Sequence, residues 1–476
     1  MTSERAQSGA GAPDENTVLV VGGGVAGIAA SCALADAGFR VTLVERRGYL
    51  GGRASSYFHP GTSETIDNCQ HVLFGCCTNL IDLYQRLDVE DRIFWDSRMT
   101  LIEPGGRRSV LEPSWLPAPM HGLPGILRAQ CFSVAYKAAL VWAMGQMMLR
   151  QQRAGVSLLD WLKAHGQTEG ALRRFWELVI ASALNASLDA IEVTYAQKVI
   201  RELFLNSPQA GAMGMSRVPL SELYGGVEAY LEARRGGLLR GQSVSGAEWD
   251  ADAQAWTLKS EGRDLRARFL VLALSFEAMA KLLPQMPEVE GRSALSERLS
   301  RLTHWPICSV HLWFDREITE LDHAVLLDRE IHWMYHKSRW QPMREREGSY
   351  VELVISANAE FAMRSREEAI RRAVEQLGEY FPAVKTARVV KSALVKEVRA
   401  TFGVPPGIDD IRPDALSPWP QCFLAGDWVQ TGWPATMEGA VRSGYLAAEA
   451  LCRSVGDRRS IVVADLAPTG GMKLLG

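Results

Sequence analysis

No run in the 476-residue sequence approaches the ~18 consecutive apolar residues that a membrane-spanning helix needs. A spanning helix is therefore not expected. No two of the eight cysteines stand at CxxC spacing. That argues against a Cys-based zinc or iron–sulfur site, and a chain this long needs no disulfide staples. Reduced thiols, and no metal, are the expectation. Charge of one sign is not in excess: the net charge is −3, so no global basic field points to nucleic acid. The first sixteen residues lack the apolar core of a signal peptide. They read as a disordered leader to a cytoplasmic chain. Acid is missing locally as well. Residues 113–159 contain no Asp or Glu but carry Arg128, Lys137, Arg150 and Arg153.

Glycine is plentiful, and its placement carries the argument. TVLVVG (Thr17–Gly22) is a short apolar run, and a helix-period stretch follows over 25–37 up to Gly38. RVTLVE (Arg40–Glu45) is a second apolar run. The order strand–helix–strand in under ~30 residues predicts a parallel βαβ unit. Gly22, Gly24 and Gly27 form GxGxxG at the start of its helix. Gly22 permits the tight turn, Gly24 lets the backbone approach a pyrophosphate, and Gly27 lets helix and strand pack closely. Glu45 ends the second strand and is placed to accept a ribose hydroxyl.

The flanks favour FAD over NAD. Gly51-Gly52-Arg53 is a second glycine turn with a guanidinium, suited to phosphate. Gly426-Asp427 leaves another short apolar run, where the carboxylate can bind a polyol. Thr436-Met437 opens a final helix, expected over 437–452, whose N-terminus suits negative charge on a reduced flavin. No second GxGxxG is present, so NADPH or another two-electron donor is expected to act from outside.

This pairing of segments resembles the amine oxidase and carotenoid desaturase superfamily of FAD enzymes. DNCQHVLFGCCTNLIDLYQRL (Asp67–Leu87), LIEPGGRRSVL (Leu101–Leu111), LPAPMHGLP (Leu116–Pro124) and GDWVQTGWPATMEGAVRSG (Gly426–Gly444) resemble its squalene-associated branch, the hydroxysqualene dehydroxylases of bacterial hopanoid synthesis. The resemblance implies an α/β fold: a Rossmann-like FAD-binding domain with a mixed α+β substrate domain inserted in it. The FAD domain takes 17–100, 215–285 and 418–455, and the substrate domain takes 101–214 and 286–417. A tail, 456–476, is expected to lie loosely on the surface. Val244 completes the expected cofactor set.

The implied reaction is reduction of hydroxysqualene to squalene, with loss of water and hydride transfer from reduced flavin. Such chemistry needs a proton donor, and Asp67 and His71 are the candidates. Their rival role is to hydrogen-bond FAD or cap a helix. The alternative activity is desaturation or isomerisation of a phytoene-type carotenoid precursor. A non-catalytic flavin-binding scaffold for isoprenoid enzymes is a third reading. A C30 isoprenoid substrate implies contact with lipid. Residues 113–159, with Trp142 inside the apolar stretch Ala138–Leu149, are the candidate for docking on the inner face of the cytoplasmic membrane. Neighbouring squalene-pathway enzymes are possible partners. Trp305, Trp313, Trp333 and Trp340 are read either as tunnel lining or as core.

Overall fold

The computed structural model describes residues 15–341 and 348–474. The expected leader lies almost wholly outside the described residues. The fold is α/β and is organised around two sheets.

The first sheet is parallel throughout: β1 (Thr17–Val21), β2 (Arg40–Glu45), β3 (Gly237–Arg240), β4 (Phe269–Leu272) and β5 (Cys422–Leu424), in the order β3-β2-β1-β4-β5. Its strands come from three separated stretches of chain. β1 and β4 are buried along their length and read as continuous apolar runs, as strands covered on both faces do. Helix α1 (Val25–Asp36) is apolar almost all round because it is buried from Val25 to Ala35. Its second partner is α2 (Met437–Ser454), and Gly444 allows that contact: a Cβ there would lie 2.3 Å from Ala26 O.

The second sheet is mixed and has seven strands. From one edge they are Val389–Phe402, His304–Phe314, Ser349–Ser356, Trp333–Tyr335, His323–Leu326, Met99–Ile102 and Arg108–Leu111. Only the pairing of His323–Leu326 with Met99–Ile102 is parallel. Helices between residues 123 and 205 pack beside it, including a π-helical turn at Leu172–Ala181. A hairpin, Ser56–His59 with Glu64–Asp67, bridges towards this sheet. Ile66 packs on Trp313 and Tyr350, whose rings stack with centroids 4.2 Å apart.

The tail departs from expectation. It is tied down along its length rather than lying loose. Glu449 accepts the amides of Ile461 and Val462, Asn79 accepts that of Val463, and Arg442 pairs with Asp465. Met472 is buried in the main core. Polar composition hid these side-chain-to-backbone bonds, because each partner is remote in sequence. No helix among the described residues is long and apolar enough to cross a membrane.

Candidate functional site

The two glycine turns meet at the C-terminal ends of β1 and β2. Gly22 has φ +109°, and a Cβ there would lie 2.3 Å from Ala273 O. At Gly27 a Cβ would lie 1.9 Å from Gly22 O, so this glycine is required by helix–strand contact. Gly24 is different: the nearest atom to a Cβ would be Gly52 Cα, 4.0 Å away. Space is open above it at the α1 N-terminus, where free amides favour an anion. Gly51 N donates to Gly23 O at 2.8 Å and locks the second turn against the first. Gly52, at φ +64°, lies beside Gly24. An open glycine cradle at a helix N-terminus fits a pyrophosphate.

Glu45 is buried at the end of β2. It accepts Gly23 N at 2.6 Å and Arg47 N at 2.7 Å. Those amides hold its carboxylate on the rim of the cradle, where a ribose would lie. Gln242 N donates to Glu45 O, and Val244 begins the next strand two residues further on. Across the cradle, Arg53 Nη2 binds Asp427 Oδ1 at 2.6 Å, and Arg53 Nη1 donates to Ala400 O. Burial works against the guanidinium charge, but Asp427 more than offsets it and raises the Arg53 pKa. Gly426, φ +140°, donates its amide to Ser443 Oγ. Thr436 caps α2 by accepting Gly439 N, with Met437 as the first helical residue. The buried Arg412 donates to the carbonyls of Asp427, Trp428, Val429 and Trp433 and so fixes the loop between Asp427 and α2. Gly24, Gly52 and the Glu45 carboxylate thus meet at the ends of β1 and β2, and Arg53 links the second glycine turn to Asp427.

The expected acids need correction. Asp67 is buried, accepts Ser56 Oγ (2.6 Å) and Leu220 N (3.0 Å), and is paired with Lys337 Nζ. Burial alone would raise its pKa, but the Lys337 ammonium and these bonds hold it below the usual carboxylate range. Its partners favour the carboxylate, which makes Asp67 a poor proton donor. Lys337, 1% exposed, also lies 3.2 Å from Glu352, and its own pKa is raised by the two carboxylates against the pull of burial. His71 Nδ1 lies 2.7 Å from Cys69 O, so it carries the hydrogen. Burial lowers the His71 pKa. A neutral ring with Nδ1–H engaged presents Nε2 as an acceptor, not an acid.

Three residues beyond His71, Phe74 and its strand neighbour Met213 begin an apolar cavity of about 210 Å³. Met99, Ile126, Met144, Met148, Phe175 and Phe204 also line it, as does His121. Trp305, Trp313, Trp333 and Trp340 are not among its walls. They pack in the cores of the sheets, where Trp340 stacks on Phe94. All eight cysteines are buried and unpaired. Nothing local in the chain marks Lys337 or Glu352 as partners of Asp67. A lysine in YHKSRW reads as a solvated charge, and only the fold brings it to Asp67.

A glycine cradle at a helix N-terminus, with the Arg53–Asp427 pair beside it and an apolar cavity elsewhere in the fold, fits a flavin-dependent oxidoreductase. Residues 25–452 match the flavin containing amine oxidoreductase family, and the chain belongs to it. Among curated proteins it is similar to 15-cis-phytoene desaturase of Synechococcus elongatus, 27% identical over 91% of this chain and 95% of that one. It is also similar to zeta-carotene desaturase of Synechocystis sp., 26% identical over 94% and 99%. Among solved structures, cyclohexylamine oxidase of Brevibacterium oxydans superposes with a TM-score of 0.66 at 18% identity, covering 93% of this chain and all of that one. Putrescine oxidase bound to putrescine gives 0.68 at 14%, covering 92% and 99%. These two share the fold.

Proposed function

We propose that this protein is an FAD-dependent desaturase of a long isoprenoid hydrocarbon of the phytoene type. The observation that carries the reading is the cavity: its walls are mostly apolar side chains, which suit a substrate without charge. The curated relatives act on carotenoid precursors by name and match along nearly the whole chain.

FAD, when bound, supplies a two-electron hydride acceptor. The chain's own residues do the rest. Gly24, Gly52 and Arg53 would hold the phosphates, Glu45 the ribose and Asp427 the polyol. The α2 N-terminus would favour the reduced, negatively charged ring. Oxidation of a C–C bond to C=C removes a hydride and a proton. His71 Nε2, neutral and unprotonated, suits the proton, and the apolar walls exclude water.

A second reading is reductive dehydroxylation of hydroxysqualene, with NADPH or another donor supplying electrons. The four segments quoted from Asp67–Leu87 to Gly426–Gly444 support it. His71, neutral and tied to Cys69, and Asp67, ionised, do not favour it as acids.

Such substrates reside in bilayers, and we place lipid contact at residues 113–159. Trp115 (90% exposed), Val134 (83%), Trp142 and Leu149 turn outward, with Arg128 and Arg150 beside them. Val141, Met144 and Met148 of the helix Val134–Leu149 line the cavity, so the outward face borders the cavity wall. The site would then lie on the cytoplasmic face of a membrane.

Anaerobic single turnover separates the readings. Oxidised holoprotein is mixed with phytoene in detergent, and reduced holoprotein with hydroxysqualene. Bleaching of the oxidised flavin with a matching lengthening of the substrate's conjugated polyene is the expected result. Reoxidation of the reduced flavin with formation of squalene, and no reaction with phytoene, would move the assignment to dehydroxylation.

A further inference from the structure

We infer that Arg412 sets the reduction potential of the bound flavin. It is a positioning residue for the loop that leads from Asp427 to α2, and its charge, left without a carboxylate, favours the reduced, negatively charged ring. This rests on FAD occupying the glycine cradle and on neither choice of substrate. Arg412 lies just before β5 and is 3% exposed. All five of its N–H groups are engaged. Nε donates to Trp428 O (3.3 Å), Nη1 to Trp433 O (2.8 Å) and Tyr195 Oη (2.5 Å), and Nη2 to Asp427 O (3.0 Å) and Val429 O (2.5 Å). One side chain thus gathers four carbonyls of one loop, and that loop runs into the Thr436 cap of α2. The rings of Tyr195 and Phe402 cover the guanidinium.

A buried charge is costly unless an opposite charge meets it. Here every acceptor is neutral. Burial raises the Tyr195 pKa, so its hydroxyl supplies no negative charge. Asp409 accepts that hydroxyl at 2.6 Å but is exposed, where water and salt screen it. The other charged groups around the loop are matched. Asp427 meets Arg53, Glu438 meets Arg442, and Asp465 meets both Arg442 and Lys198. Lys198 and Arg442 also face Trp433, over its ring, but unlike Arg412 they have these carboxylates. Carbonyls solvate the Arg412 cation and leave its charge in place. Reduction of flavin by two electrons and one proton leaves a negative charge on the ring, and a second proton removes it. A fixed cation behind the loop favours the anion and makes reduction easier. The phosphates have a cation of their own in Arg53, beside the glycine turns. Geometry adds to charge at Asp427, which Arg412 holds by the carbonyl and Arg53 by the carboxylate. Its polyol contact is therefore set before FAD arrives.

The test measures the midpoint potential of the flavin in FAD-loaded wild type, Arg412→Lys and Arg412→Met, equilibrated with reference dyes in the absence of substrate. The slope of potential against pH, between about pH 6 and 8, counts the protons taken up with two electrons. The wild type is expected to take up one. Arg412→Met is expected to lower the reduction constant about tenfold, or about 30 mV for a two-electron couple, and to move uptake towards two protons. Arg412→Lys keeps the charge but at most three of the donors. It is expected to melt at a lower temperature and yet hold the wild-type potential. Where Arg412→Met retains no FAD, Arg412→Lys decides: a potential that falls with its melting temperature makes Arg412 a loop brace and overturns the assignment. An unshifted potential in FAD-loaded Arg412→Met overturns it too, and with weaker FAD retention it gives the charge to the phosphates. Uptake of two protons by the wild type across the whole range also overturns it. If the wild type binds no FAD, the cradle reading falls first and the role of Arg412 with it.

Discussion

At the scale of single residues, the glycines of the cradle divide by what surrounds them. Gly27 has no room for a methyl group, with Gly22 O 1.9 Å from the Cβ position, whereas at Gly24 the nearest atom, Gly52 Cα, is 4.0 Å away. Gly27→Ala is therefore expected to destabilise the apoprotein by several kcal/mol, in the range of overpacked or displaced cores. Gly24→Val is expected to leave the apoprotein's melting temperature nearly unchanged and to abolish flavin retention, read as bound flavin absorbance per protein. A parallel loss of stability in Gly24→Val would mean that the space is not a ligand cradle. This part of the site was legible in the sequence because glycine positions and strand–helix order are local. Lys337 was not, because it meets Asp67 across 270 residues. Lys337→Met would leave two carboxylates buried together and is expected to cost about 3–5 kcal/mol in chemical denaturation. Adding Asp67→Asn to it should return part of that loss, since the cost belongs to the uncompensated charge and not to the lysine's bulk. Additive losses would show that the pair is not coupled.

At the scale of elements, the tail acts as a strap across two cavity walls. Thr469 N donates to Asn206 O at 2.8 Å, just beyond Leu203–Leu205 of one wall. Gly471 N donates to Ala118 O, next to Pro119–Gly122 of the other. Met472 anchors the strap in the core. Removal of residues 466–476 is expected to raise amide exchange in 117–122 and 203–208 and to spare β1 and β2. Met472→Ala alone is expected to cost about 2–4 kcal/mol, as for other buried long side chains. Uniform exchange in the truncated chain would deny the tail any local role. The strands and long helices were readable because each buries a periodic or continuous apolar face: Met437–Ser454 ends within two residues of the helix expected over 437–452. The strap has no such period. One methionine and scattered backbone bonds hold it, and no pattern in the chain announces them.

At the scale of the whole molecule, the two sheets are joined by charge as well as by apolar contact. Arg53–Asp427 and Glu45 with Gly23 lie within the cofactor half, while Lys337–Asp67 and Lys391–Glu64 tie the hairpin Ser56–Asp67 to the second sheet. Two histidines flank the strand Trp333–Tyr335 of the second sheet. Burial pushes His332 and His336 down to about 4. His332 Nδ1 accepts Ser356 N at 3.1 Å, and His336 Nδ1 lies 3.2 Å from Leu321 O. An unfolded histidine takes its proton near 6.5. Between about pH 6.5 and 4 the unfolded chain therefore binds protons that the folded chain refuses, so stability falls as pH is lowered through that window. A shift of this size is worth up to about 3 kcal/mol per residue by linkage. The direction at His71, His121 and His311, all lowered by burial, is the same. Above pH 7 these groups are neutral in both states and contribute no slope. Unfolding free energy measured by urea from pH 8 to 4 is expected to be flat to about 7 and then to drop by several kcal/mol. In the double variant His332→Gln, His336→Gln the drop should shrink by more than half, while the plateau at pH 8 shifts only by the bonds lost. A wild-type curve without slope between 6.5 and 4 would mean that both rings are reached by protons in the folded state. The seven-stranded sheet would then open locally before the molecule unfolds.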